Sequence, residues 1–326
     1  MHNIYERNDR MFKQSIQNKK RAGKNKDTSQ GIGLVLMALP MMLVVAVFSY
    51  LPMGGLIVAF KNYSYRDGIL KSPFCDPLWK NFEFLLKSPD TFRIIRNTIL
   101  YNLAFIVLTL VISVALAIAL NELRSRKALK VYQTTMFIPY FLSWVVISYI
   151  VYAFLNPRLG YLNAIAARNG GQSLDWYNTP EVWIAIIIIL QIWKTVGMNV
   201  LMYYASLMSV DTSYQEAAVI DGANRWQVIR HVILPFLYPM MIILTILAVG
   251  KIMNSDFGLF YQVPMDSKTL YPTTDVLETY VYRALIQSGN IGMSSAAGFL
   301  KSVVGFGLVL LTNGIVKKIN PDYALY

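Results

Sequence analysis

Residues 216–235 read EAAVIDGANRWQVIRHVILP, from Glu216 to Pro235. Tyr214 to Ile220 has the makings of a short helix, and Gly222 suits the left-handed residue that ends many helices. Asn224 is a good N-cap for a second helix, on which Trp226, Ile229, Val232 and Ile233 share one face. The stretch therefore reads as helix, sharp turn, helix. Long apolar runs lie on both sides of it, so the hairpin belongs at a membrane surface. It can serve as a docking face for another protein, or lie in the interface without a partner.

Working outward, a membrane span needs about 20 apolar residues at about 1.5 Å each. Six runs qualify, at roughly 31–60, 98–120, 131–154, 182–208, 236–254 and 296–316. Pro40 and Pro52 are placed to kink the first. The expected fold class is all-α: a polytopic membrane protein with six transmembrane helices. The expected organisation is a basic cytoplasmic tail (1–30), a first transmembrane helix (31–60), an extracellular loop with an interfacial segment (61–95), a core (96–320) that carries the hairpin (213–235), and a cytoplasmic end (321–326). A cleavable secretory signal is not expected, because no small-residue cleavage site follows a short apolar core.

Composition agrees with this reading. Of 326 residues, 55% are hydrophobic and 15% charged, against about 25% charged in soluble proteins. The mean hydropathy is +0.43. These values exclude a disordered chain and most soluble enzymes. Cys75 is the single cysteine, which rules out an internal disulfide and a cysteine-cluster metal site. The net charge is +12, but the basic residues form no patch on a soluble domain, so nucleic acid is not an expected partner. Instead Arg7, Arg10, Lys13, Lys19, Lys20, Arg21, Lys24 and Lys26 precede the first apolar run, as in a segment held beside anionic membrane lipid. Arg124, Arg126, Lys127, Lys130, Lys317 and Lys318 fall on the same side when six spans are counted. Basic residues mark the cytoplasmic side, so both termini are expected inside and the protein in the cell membrane. The segment 61–97, with seven Lys or Arg, runs against this, and its four acidic residues dilute it.

No catalytic constellation is legible. His2 and His231 are in no metal spacing, and G-x-S-x-G is absent. Gly23-Lys24 and Gly250-Lys251 do not continue as a phosphate loop requires. Gly170 to Ser173 reads as a flexible turn. No catalytic residue, metal site or cofactor is assigned to the chain.

At the hairpin the sequence resembles a known family. E-A-A-x-x-D-G-A followed by an apolar stretch and L-P is similar to the cytoplasmic motif of binding-protein-dependent ABC import permeases. Glu216, Ala217, Ala218, Asp221, Gly222, Ala223, Leu234 and Pro235 carry the match. Asn81-Phe82 through Thr98, Ile138 to Trp144 and Asn156 to Asn163 resemble the sugar permeases of that family, in particular the Gram-positive branch handling oligosaccharides from complex polysaccharides. The resemblance implies a type I importer permease with a cytoplasmic coupling helix. It implies a second permease subunit that is a different chain, two cytoplasmic ATPase subunits that hold ATP and Mg, and an extracellular substrate-binding lipoprotein. Glu216, Ala217, Ala218, Asp221, Gly222 and Ala223 would form the ATPase-coupling site. A permease for amino acids or phosphate, an ion-driven secondary transporter and a membrane-embedded enzyme are the competing readings.

A substrate pathway is sought among intramembrane polar groups, which face a bundle interior or a wet cavity. Gln191, Lys194, Thr195 and Asn199 share one side of the fourth span, with Trp193 and Tyr203 nearby and Asn254 and Asp256 at the end of the fifth. Interhelical hydrogen bonding without substrate is the alternative. Lys251 and Lys301 are expected to snorkel outward. Lys194 is too central for that and is expected to face the pathway and help bind an oligosaccharide bearing uronic acid groups. Gly298, Ser302 and Gly305 share a face suited to close packing of the sixth span.

Overall fold

The computed structural model describes residues 33–83 and 87–325. The basic tail and its orientation signal therefore lie outside the described residues. Contacts divide the chain into two units, Met1–Ile57 and Val58–Tyr326. In the first, helix α1 (Gly33–Phe60) begins, and its apolar side chains, Met37, Phe48 and Leu51 among them, are exposed.

The second unit holds the bundle. Its helices are α2 (Thr91–Asn121), α3 (Arg126–Phe141), α4 (Trp144–Leu155), α5 (Tyr161–Arg168), α6 (Pro180–Met208), α7 (Ser213–Ile220), α8 (Arg225–Gly250), α9 (Leu277–Ser288) and α10 (Ile291–Ile319). Helices α1, α2, α6, α8 and α10 are each long and apolar enough to cross a membrane, and α3 with α4 forms a sixth, bent pair.

The third span expected at 131–154 is not continuous. α3 and α4 meet at 97°. Leu142 and Ser143 are extended, and the Ser143 hydroxyl accepts the Val146 N–H at 3.3 Å. A side-chain cap of this kind starts a new helix, and Pro139 lacks an N–H for the turn before it. The fifth span also differs. It starts eleven residues earlier than expected, as the second arm of the hairpin (236 − 225 = 11), and ends at Gly250, before an unwound stretch containing Asn254.

All three π turns among the described residues, Ala46–Tyr50, Ile229–Ile233 and Gly258–Gln262, end two residues before a proline: Pro52, Pro235 and Pro264. Proline cannot donate to the carbonyl four residues earlier and crowds it. A widened turn is a common way for a helix to absorb that defect. Pro235 thus sits inside a continuous α8.

Two larger cores and a smaller one, around Ile94, Met253 and Leu277, hold the bundle. Near one end, Val114, Ala117 and Leu120 of α2 meet Val200 and Leu207 of α6 and Val228, Ile233 and Leu237 of α8. Near the other, Tyr101 and Phe105 pack with Trp144, Trp183, Ile187 and Phe260. Two close crossings set the geometry. A Cβ on Gly197 would collide with the Met136 carbonyl, so α3 presses its backbone against α6. A Cβ on Gly305 would collide with the Gly250 carbonyl, so α8 ends against α10. Of the small residues expected to pack the sixth span, only Gly305 does so: Gly298 has open space beside it and Ser302 is exposed.

Candidate functional site: a polar cleft and an exposed hairpin

Two sites are separable, one at the hairpin and one within the bundle. In the hairpin, α7 closes with the Ala223 N–H donating to the Ala218 carbonyl and the Gly222 N–H to that of Val219. This is the paired pattern of a Schellman end, and Gly222 has φ +84°. Asn224 and Gln227 then form a capping box, at 3.0 and 2.7 Å. Sequence alone placed this turn and cap. At the start, the Ser213 N–H donates to the Asp211 carboxylate at 2.9 Å and holds its pKa below the ordinary value. Arg225 pairs with Glu122 at the end of α2, which ties the hairpin to the bundle.

Ala218 and Ala223 face inward against the core that includes Val228. Glu216, Ala217, Asp221 and Gly222 are exposed, as are Val219, Ile220 and Trp226. Ile220 is 85% exposed and Trp226 68%. Apolar exposure of that degree beside polar helix ends is what a docking surface presents.

The second site lies at mid-depth. Lys194 is the central residue of the 29-residue α6, fourteen from either end (194 − 180 = 208 − 194), and Gly305 is likewise the centre of α10 (305 − 291 = 319 − 305). Gly250 touches Gly305, so α8 unwinds opposite the midpoint of α10. The break between α3 and α4 faces Lys194, opposite the midpoint of α6. Irregular backbone is tolerated at membrane depth only where it is buried in protein or lines a wet cavity. A cleft of about 490 Å³ lies beside the α8 break, between α2, α6 and α8.

The structure brings Gln191, Thr195, Asn199, Tyr203 and Asn254 together in the lining of this cleft. Sequence reading missed Asn102, Thr109 and Thr245, which complete the polar lining, and it sent Lys251 outward although Lys251 also lines the cleft. An asparagine within the apolar run 98–120 was the signal available for Asn102. Its amide donates to the Thr98 carbonyl at 2.8 Å and to the Ser255 hydroxyl at 3.2 Å, linking α2 to the unwound stretch.

Three expected pathway residues stand elsewhere. Trp193 lines an apolar groove with Ile150 and Phe154. Lys194 turns to the broken span. Its ammonium donates to the carbonyls of Pro139 (3.5 Å) and Tyr140 (3.1 Å) at the end of α3 and of Leu142 just beyond it, and lies 5.3 Å from the centre of the Trp144 ring. A cation at a helix C-terminus satisfies carbonyls that have no intrahelical partner and complements the helix dipole. Trp144 in turn donates through Nε1 to Asp256 at 2.6 Å, and the same carboxylate accepts the Gly258 N–H at 2.9 Å. Lys194, Trp144 and Asp256 therefore brace the break rather than line the cleft.

Lys301 was expected to escape outward, but it pairs with Glu278 of α9 at 2.7 Å. At the same end Asp275, 3% exposed, meets Arg283, Arg93 and Thr279. Burial pushes the Asp275 carboxyl up, and its basic neighbours pull it back.

Fold and site define a multi-pass membrane protein with a polar mid-depth cleft and a protruding hairpin, the features of a solute permease. Residues 110–323 match the family described as binding-protein-dependent transport system inner membrane component, and the chain belongs to that family. It is 32% identical to Protein LplB of Bacillus subtilis over 292 residues, covering 89% of this chain and 90% of that protein. It is 31% identical to the polygalacturonan/rhamnogalacturonan transport system permease protein YteP of the same organism, covering 89% of each. A crystal structure of a bacterial ABC transporter involved in the import of the acidic polysaccharide alginate superimposes with a TM-score of 0.79 at 30% identity, covering 90% of this chain and 98% of that one. The match extends to the alginate transporter in complex with an alginate pentasaccharide-bound periplasmic protein, at 31% identity.

Proposed function

We propose that this chain is one permease subunit of an ATP-driven ABC importer that carries a carbohydrate, an oligosaccharide cut from a complex polysaccharide, into the cytoplasm by alternating access. The carrying observation is the mid-depth cleft bordered by the unwound end of α8, lined by amides and hydroxyls suited to sugar hydroxyls. The cargo class draws on relatives whose names specify polygalacturonan, rhamnogalacturonan and arabinooligosaccharide transport and on the alginate importer.

In this reading the chain hydrolyses no ATP. Two cytoplasmic ATPase subunits hold ATP and Mg, a second permease subunit of different sequence completes the pathway, and an extracellular lipoprotein delivers the sugar. Glu216 and Asp221 accept hydrogen bonds from basic groups of an ATPase, while Val219, Ile220 and Trp226 fill its groove. Closure of the ATPases then rocks the hairpin, and through the Arg225–Glu122 pair and the continuous α8 that motion reaches the cleft. The reading puts both termini in the cytoplasm. In support, Arg124, Lys127 and Lys130 follow α2 where Glu122 meets Arg225 of the hairpin, and Lys317 and Lys318 lie in the last turn of α10.

The test is ATP hydrolysis by the assembled complex. A binding protein loaded with oligogalacturonate should stimulate it, and the permease without ATPase subunits should hydrolyse none. Stimulation by an amino-acid-loaded binding protein instead would refute the carbohydrate reading.

A further inference from the structure

Among the lysines at mid-depth, two are spoken for: Lys194 by the carbonyls that end α3, and Lys301 by Glu278. Lys251 is different. It follows the last residue of α8, opposite the midpoint of α10, and its side chain is exposed in the cleft beside Asn102, Gln191 and Asn254. It also lines the adjoining cavity of about 300 Å³ that Ser302 shares. Its ammonium meets no carboxylate among the described residues. The one carboxylate of the unwound stretch, Asp256, is engaged by Trp144 and the Gly258 N–H.

An unpaired cation at membrane depth needs a partner or water, and here it borders a cleft whose other groups are neutral amides and hydroxyls. We infer that Lys251 is the specificity-determining residue for cargo charge, pairing with a uronate carboxylate while the amides around it hold the hydroxyls. This rests on the carbohydrate reading of the cleft and adds the charge of the sugar and the residue that selects it. A lysine here can also stabilise the end of α8 through the helix dipole. That role would be blind to the charge of the sugar, which gives the test its discriminating arm.

The experiment is equilibrium binding to the assembled, detergent-solubilised complex without its binding protein. The probes are tetragalacturonate and its fully methyl-esterified form, equal in length and neutral. Lys251→Gln should weaken tetragalacturonate binding about tenfold or more, as for loss of one charge-assisted hydrogen bond, and leave the ester unchanged. Lys251→Arg should keep acid binding within about threefold of wild type. Should wild type bind the acid but not the ester, loss in Lys251→Gln with retention in Lys251→Arg still supports the assignment. Equal weakening of both probes, no weakening, or a wild-type complex that prefers the ester would overturn it while leaving the carbohydrate reading intact. A wild-type complex that binds neither sugar would remove both.

Discussion

Replacing Lys194 with methionine isolates what the broken third span requires. The thioether keeps most of the aliphatic stem and its packing, so the loss is chiefly that of the ammonium. The carbonyls of Tyr140 and Leu142 then lose their donor, that of Pro139 keeps the Leu142 N–H, and Trp144 loses the cation beside its ring. A hydrogen bond to a charged group contributes about 1.5–3 kcal/mol net, and a cation–π contact at a wet site about 0.5–1 kcal/mol. Lys194 is only half-buried, so water re-satisfies part of the set. The expected cost is about 2–3 kcal/mol, near the lower end of the sum for one such hydrogen bond and the ring contact. At about 2–4 °C per kcal/mol, the complex in detergent should lose roughly 4–12 °C in its thermal midpoint. Transport at a permissive temperature should fall equally for acidic and neutral oligosaccharides. An unchanged midpoint with selective loss of the acidic cargo would refute the capping role and return Lys194 to the substrate.

Further outcomes follow from the same geometry. Gly222→Ala meets nothing within 4 Å yet must adopt φ +84°, a strain of about 1–2 kcal/mol. The protein should insert normally and couple poorly, read as sugar-stimulated ATP hydrolysis reduced at least fivefold at unchanged expression. Gly305→Leu would drive a side chain into the Gly250 backbone. It should abolish transport and shift the α8–α10 cysteine cross-linking pattern, whereas Gly298→Leu, beside open space, should not. Cys75, 6% exposed, should resist thiol reagents until the protein is denatured. Asp211 has a pKa depressed by the Ser213 N–H, so its contribution to the first turn of α7 is complete above its ordinary value of 3.8 and lost as pH falls through the depressed one. Hydrogen exchange at the Ser213 amide should accelerate across that interval in the wild type and not in Asp211→Ala.

How much of this was legible in the sequence depended on how local the cause was. The hairpin was readable because Gly222 and Asn224 act on their own backbone within a few residues. The polar stripe Gln191–Thr195–Asn199 was readable because helical periodicity alone puts those residues on one face. The breaks were not. Hydropathy reports what a segment is made of, and residues 131–154 stay apolar straight through Leu142. The available signs were Pro139 and Ser143, which membrane helices tolerate without breaking, and a break here also needs an element that catches the freed carbonyls. That element is Lys194, more than fifty residues on. The same holds for Lys301, whose partner Glu278 lies on a helix outside the span. Lys194 was expected in the pathway because an intramembrane charge demands a partner. The partner turned out to be backbone, which no count of carboxylates can reveal.

In the proposed transporter the cleft beside the α8 break is the transport pathway, opened alternately to either side by the ATPases. The most direct measurement is labelling of Asn199→Cys, in a complex lacking Cys75, by a membrane-impermeant thiol reagent applied from each side. Without nucleotide the residue should label from the cytoplasmic side only, and with the ATPases trapped closed on ATP from the outside only. Labelling that is absent from both sides, or unchanged by nucleotide, would contradict the account.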